Sequence, residues 1–145
     1  MSGTVSALRG DVEAWCKSYI RAFMSFDAGA IAAHWAFPAT VLQSGRLYRF
    51  EDAAAFEQNT QKLCAFYRKA GVTHTERKLD EVMALSEKVA SIRVSDEMFK
   101  ASGPAFVSWQ AGYTLISTDN GWRAVFAVAD GETEAWAALG MRLGG

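Results

Sequence analysis

The 145-residue chain reads as an α+β domain: three N-terminal helices packed on a strongly curved antiparallel sheet. Two observations carry this. Up to Ala70 the apolar residues recur every three or four positions, the period of a helix with one buried face; from Thr73 onward they recur at every second position, the period of a strand. Helices at one end of the chain and strands at the other make a sheet that covers its apolar face with helices. Length and composition agree, since the chain is 50% hydrophobic and 21% charged and a chain of this size buries about 68–70% of its unfolded surface.

Val5, Leu8, Val12, Trp15, Cys16, Tyr19, Ile20 and Phe23 form the stripe of a first helix over Thr4–Ser25. Gly10 weakens its opening turns by about 1 kcal/mol. Asp27 offers a carboxylate to the free amides of a short second helix, Ala28–Trp35. Pro38 ends it by pushing Phe37 out of helical geometry. Thr40–Gln43 and Leu47–Phe50 flank Ser44-Gly45-Arg46 as a hairpin. After the acidic pair Glu51-Asp52, the face Phe56, Thr60, Leu63, Tyr67 and Ala70 marks a long third helix, closed by Gly71.

Four long strands follow: Thr73–Leu85, Lys88–Lys100, Ala105–Thr118 and Trp122–Ala129. They are separated by Ser86-Glu87, Ser102-Gly103-Pro104 and Asp119-Asn120-Gly121. Such short links imply an antiparallel meander. Residues 131–145 form a tail with one weak amphipathic turn at Ala135, Trp136 and Leu139, expected to fray after Gly140. The whole is one domain with an ordered core over residues 4–130. A strongly twisted sheet of long strands curls around the third helix and leaves a cone with an open mouth.

Several function classes are excluded. Fifteen Lys and Arg against sixteen Asp and Glu leave a net charge of −1, so no field holds a phosphate backbone and nucleic acid is no partner. The most apolar stretch, Ala28–Leu42, is too short to span a bilayer and is broken by His34 and Pro38. The opening residues lack a secretory pattern, so the expectation is a cytoplasmic protein. Cys16 and Cys64 then read as buried free thiols. The glycines form no phosphate loop and the two histidines no metal pattern, so the expected chemistry uses no cofactor and no metal.

Three short motifs carry a resemblance: Tyr19-Ile20-Arg21-Ala22-Phe23 with Asp27 eight positions after the tyrosine, Ala39-Thr40-Val41 at the start of the first strand, and Asp119-Asn120-Gly121-Trp122-Arg123 opening the last. From about Ala7 to Asp130 the chain resembles the nuclear transport factor 2-like superfamily, which includes ketosteroid isomerase, scytalone dehydratase, limonene-epoxide hydrolase and polyketide-cyclase-like proteins. These motifs mark turns and packing. They identify the fold better than the chemistry.

Candidate chemistry lies on the inner faces of the cone. Tyr19, between Trp15 and Phe23, either aims its hydroxyl into a cavity or bonds a core partner. The resemblance implies the first use, because the matching tyrosine of ketosteroid isomerases donates to the developing oxyanion. The same alignment puts Gln43 where that family has its catalytic aspartate, and an amide is no general base. Gln110 falls within one or two positions of the family's protonated aspartate, and both departures argue against steroid-isomerase chemistry. Asp96 shares an apolar strand face with Ala90, Ile92, Val94 and Met98. Desolvation there suits it to acid or base work, unless a bulge turns it to solvent.

His34 and Trp35 sit beside the expected mouth, where a histidine either shuttles protons or caps its helix. Trp109 and Tyr113, with Tyr67 and Phe126, supply aromatic walls or plain core. The leading expectation is a small-molecule-binding protein whose aromatic-lined pocket takes an apolar or aromatic molecule. The alternatives are a cofactor-free acid–base enzyme of the isomerase, dehydratase or cyclase type, resting on Tyr19, Asp96 and His34, and a non-catalytic dimerisation or partner-carrying module. The uncharged face Ser108, Gln110, Gly112, Thr114 and Ile116 points to a homodimer.

Overall fold

The computed structural model describes residues 2–143, with side chains from residue 7 onward; Val5 of the first apolar stripe lies outside the described side chains. Helix α1 spans Ser2–Met24 and buries Val12, Trp15, Cys16, Tyr19 and Ile20. Helix α2 spans only Ala28–Ala32, started by Asp27 as expected: its Oδ1 accepts from the Ala30 amide at 3.0 Å. The expected continuation to Trp35 is corrected here. Trp35 opens strand β1 (Trp35–Gln43), because it pairs with Ala124 and because the Ala124 amide donates to the His34 carbonyl at 2.9 Å. Sheet pairing outweighs one further helical turn that Pro38 would truncate anyway.

Strand β2 (Arg46–Phe50) returns antiparallel to β1. Their link is two residues, Ser44 and Gly45, at φ of 52° and 77°, the double positive φ that a tight hairpin needs. Helix α3 spans Ala53–Ala70, with Asp52 accepting from the Ala55 amide at 2.9 Å and Gly71 in the left-handed region at φ 90°. Strands β3 (His74–Ser86), β4 (Val89–Phe99), β5 (Val107–Thr118) and β6 (Gly121–Val128) form the expected antiparallel meander.

The sheet is nevertheless mixed. Its order is β2-β1-β6-β5-β4-β3, and β1 runs parallel to β6. The β6 edge would be open after the meander closes, and the hairpin, α3 and three strands supply the long crossover that a parallel neighbour requires. Register shifts in the β1–β6, β3–β4 and β5–β6 pairs let this six-stranded sheet curve.

The second correction concerns the tail. Asp130–Ala138 form a regular helix, α4, whose Trp136 is 0% exposed. Close backbone approach and a few polar contacts explain the docking that weak amphipathicity hid. A Cβ on Gly131 would collide with the Gln110 carbonyl oxygen, so the helix start rests directly on the β5 backbone. Asp130 Oδ1 accepts from the Ser44 amide at 2.6 Å and Gln43 Nε2 donates to Thr133 Oγ1 at 2.8 Å, tying α4 to the β1–β2 turn. After the helix, the Met141 amide bonds the Trp136 carbonyl at 3.0 Å.

The core has two parts. One gathers α1, α2, α3 and the sheet around Trp15, Tyr19, Trp35, Phe56 and Leu115. The other gathers Tyr67, Val72, Met98 and Val107 around Trp136. Among the described residues no helix is long and apolar enough to cross a membrane. Truncating the fully buried indole by Trp136→Ala should lower unfolding free energy by about 3–5 kcal/mol, measured by denaturant unfolding. An unchanged midpoint would mean that α4 does not hold this cluster together.

Candidate functional site

Inside the cone, aromatic rings enclose a small set of polar groups. Trp15 stacks on Tyr19 with centroids 4.8 Å apart, and Tyr113 stands edge-on to both at 5.5 and 6.0 Å. Trp35 Nε1 donates to the Tyr19 hydroxyl at 2.8 Å. Burial pushes the Tyr19 phenol well above its ordinary range, so it stays protonated.

The sheet brings the first charged pair into this shell. Arg77 on β3 and Asp96 on β4 are register partners, both with side chains only 4% exposed. Arg77 Nε donates to Asp96 Oδ1 at 2.7 Å and Nη2 to Oδ2 at 2.8 Å, a two-point fork. The same Nη2 also donates to the Tyr113 hydroxyl at 2.9 Å, and the guanidinium carbon lies 4.9 Å from the Tyr113 ring and 5.4 Å from that of Tyr19. Burial pulls the guanidinium down, but the Tyr113 oxygen and the Asp96 carboxylate outweigh it and hold the charge. Burial raises the Tyr113 phenol to about 12, against the opposing pull of Arg77. Among the described residues Arg77 Nη1 is buried with no hydrogen-bond partner of good geometry, while the Cys16 thiol lies close enough to the guanidinium for Arg77 to oppose the rise that burial gives its pKa. A buried donor left unmade costs about 1–3 kcal/mol, more when charged.

A second polar group enters from α4. Glu132 accepts from the Tyr67 hydroxyl and, at 3.2 Å, from Trp136 Nε1. Part of the residue's surface stays accessible, yet loss of hydration is the largest influence and raises its carboxyl to about 7, against both hydrogen bonds. Burial and the neighbouring Glu132 push the Tyr67 phenol well up. Asp96 and Arg77 act on Glu132 through space as well, so the two polar groups form one electrostatic unit.

The structure therefore brings Tyr19, Trp15, Trp35, Tyr113, Tyr67 and Asp96 into one shell, and Trp109 joins its Trp136 side at 6.5 Å. It does not bring in Gln43 or Phe126. Gln43 holds Thr133 at the foot of α4. His34 stands at the edge of the shell, its ring 5.4 Å from that of Tyr19 and 6.2 Å from that of Trp15, and it also lines an outer hollow. Phe126 is in register with Thr114 and Thr40, on the sheet face opposite Tyr113. Gln110 shares that outer register. Arg77 and Glu132 are the residues that sequence reasoning missed. A carboxylate in the apolar register of β4 demands a buried cation, and the β3–β4 turn places Arg77 opposite it, so that signal was available. Glu132 had none in a segment read as tail. Cys16 and Cys64 are free and buried, their thiols raised by burial. Among the described residues no group of three or more His, Cys, Asp or Glu is placed to hold a metal.

A family defined as NTF2-like protein (DUF6841) matches residues 10–132. The chain belongs to this family. No curated protein matches the chain. Among solved structures it is similar to a domain of unknown function with a cystatin-like fold from Nostoc punctiforme, at 15% identity and a TM-score of 0.66, over 88% of this chain and 76% of that one. It is similar to a ketosteroid isomerase-like protein from Erwinia carotovora, at 18% identity and 0.62, over 82% and 92%. It is also similar to a putative scytalone dehydratase from Novosphingobium aromaticivorans, at 13% and 0.65, over 88% and 86%. These likenesses establish an NTF2-like fold.

The Glu132 carboxyl yields a pH test. Its folded pKa of about 7 lies above its ordinary 4.5, so between those values the native state holds a proton that the unfolded chain has lost. Its contribution to stability is present below pH 4.5 and is lost as pH rises to about 7. Unfolding free energy relative to Glu132→Gln should fall over that window and level off above it. A difference that is flat from about pH 4 to 8 would place Glu132 in water.

Proposed function

We propose that this NTF2-like protein binds a small, flat, largely apolar molecule inside the cone and anchors one of its oxygens on Arg77. The single observation that carries this reading is Arg77 Nη1, a buried guanidinium donor with no partner among the described residues, beside the Tyr19 and Tyr113 rings. A carbonyl, phenolate or carboxylate oxygen would satisfy it, and aromatic faces suit a planar body. Arg77 also lines a hollow of about 550 Å³ between α1 and β3, and that side is the approach to the guanidinium.

A catalytic use has its own support. Glu132 titrates at about 7 beside a phenol that stays protonated, which suits proton transfer at neutral pH. In that reading the acid–base residue is Glu132, while the oxygens of Asp96 are engaged by Arg77. The ketosteroid isomerase-like structure lends the enzyme reading analogy of fold alone.

The binding test uses 2-naphthoate and naphthalene, followed by quenching of tryptophan fluorescence. Replacing the ion pair together, Arg77→Met with Asp96→Leu, removes the anchor without leaving a lone buried charge. The double variant should stay folded by circular dichroism and lose about 1.5–3 kcal/mol of naphthoate affinity, with naphthalene unaffected. Equal naphthoate affinity in parent and variant would contradict the anchor.

We also propose a homodimer through the outer face of β5. Thr114 and Ile116 are only partly exposed there, and Phe126 lies in register beside Thr114. Sedimentation at micromolar concentration should give twice the 15.8 kDa chain mass. A species of single chain mass would contradict it.

A further inference from the structure

On the outside of the domain, α1, the α2–β1 junction and the β5–β6 turn enclose a hollow of about 660 Å³ whose lining includes Trp15, Ser18, His34, Trp122 and Arg123. His34 is fixed there at nearly every polar atom. Its amide bonds the Ile31 carbonyl at 3.1 Å, and its carbonyl accepts from Trp15 Nε1 at 3.2 Å and from the Ala124 amide at 2.9 Å. Nδ1 lies 2.8 Å from the Ala30 carbonyl oxygen. A carbonyl only accepts, so Nδ1 carries the proton and Nε2 keeps its lone pair.

Ser18 Oγ lies 2.7 Å from that Nε2, and the hydroxyl is therefore the donor. Ser18 itself is exposed on α1. A nucleophile, a base within hydrogen-bond reach and a group that orients the base stand in sequence, the arrangement that activates a serine. Capping α2 would need Nδ1 alone. Arg123 lines the same hollow, its Nη1 bonded to the Trp122 carbonyl at 2.7 Å. Burial, and secondarily the Arg123 charge, lower the imidazole pKa, so it is a neutral base at pH 7.

We propose that Ser18 and His34 form an external acyl-transfer site, on the outer side of the Trp15 and Tyr19 rings that wall the cone interior, for esters of aromatic alcohols. The partly exposed Trp122 ring faces the aromatic group and Arg123 the carbonyl oxygen as it gains charge. Ser18 Oγ bonds to the ester carbonyl carbon while its proton passes to His34 Nε2. The bond from that carbon to the alcohol oxygen then breaks, and the alcohol leaves with the proton from Nε2. Water attacks the acyl-serine, giving its proton to Nε2; the carboxylic acid departs and Ser18 recovers the proton. His34 acts as base, then acid, then base again, with no net change in the protein.

The test uses a fluorophosphonate probe, with the labelled peptide identified by mass spectrometry, and p-nitrophenyl acetate hydrolysis. The folded parent should be labelled at Ser18 and lose labelling when heat-unfolded. Ser18→Ala, on an exposed helical face, should keep its thermal midpoint and its naphthoate quenching yet take no label. His34→Asn should slow labelling about a hundredfold, the lower end of what a positioned base supplies. If it fails to fold, the parent and Ser18→Ala still decide. No label on the parent, a label on another residue, or equal hydrolysis by parent and Ser18→Ala would overturn the proposal. Naphthoate binding is read in the same samples, so failure here and failure of the cone reading are separable.

Discussion

The fork between Arg77 and Asp96 is the constraint around which the interior is arranged. Two opposite charges lie across adjacent strands with side chains 4% exposed, and removing either alone would strand the other at a cost of about 3–5 kcal/mol. Strand register has to put β3 and β4 face to face at this point, and α1 has to cover the pair. Tyr19 and Cys16 come from that cover, while Tyr113 on β5 supplies the third contact to the guanidinium. A two-point fork uses two of the three guanidinium nitrogens. Geometry alone leaves Nη1 over, a buried donor with no oxygen or nitrogen partner among the described residues and only the Cys16 thiol near the guanidinium.

Helix α4 supplies the opposite feature, an acceptor that is hydrated too little. Trp136 wedges against Phe66, Tyr67 and Phe106 with centroids at 5.0, 6.1 and 5.7 Å, and this packing carries Glu132 inward. The carboxyl then meets a phenol and an indole rather than water. A donor without an acceptor on one wall and a half-titrated acid on the other give the interior a polarity that an ordinary aromatic core lacks. The polar attachments of α4 are few, and each involves a side chain or turn that can open without breaking the sheet.

Much of this architecture was legible in the residues. Asp27, Asp52 and Gly71 cap helices for reasons internal to a few residues. The alternation of β4 placed Asp96 on the buried face, as observed. What failed depended on partners far along the chain. Trp35 looked helical until β6 offered its edge, and no local pattern announces a parallel pairing between the two ends of a sequence. Trp136 reads as part of a weak amphipathic turn because its burial comes from α3 and β5 rather than from a helical stripe of its own. Arg77 was findable by asking what neutralises Asp96; Glu132 was not, because only the docking of α4 desolvates it.

The most direct test of the central claim is a crystal structure of the protein with 2-naphthoate bound. A carboxylate oxygen is expected within hydrogen-bond distance of Arg77 Nη1, with the naphthalene ring against Tyr19 or Tyr113. Naphthoate bound only in the outer hollow beside Trp122, with Arg77 Nη1 still unpartnered, would contradict this.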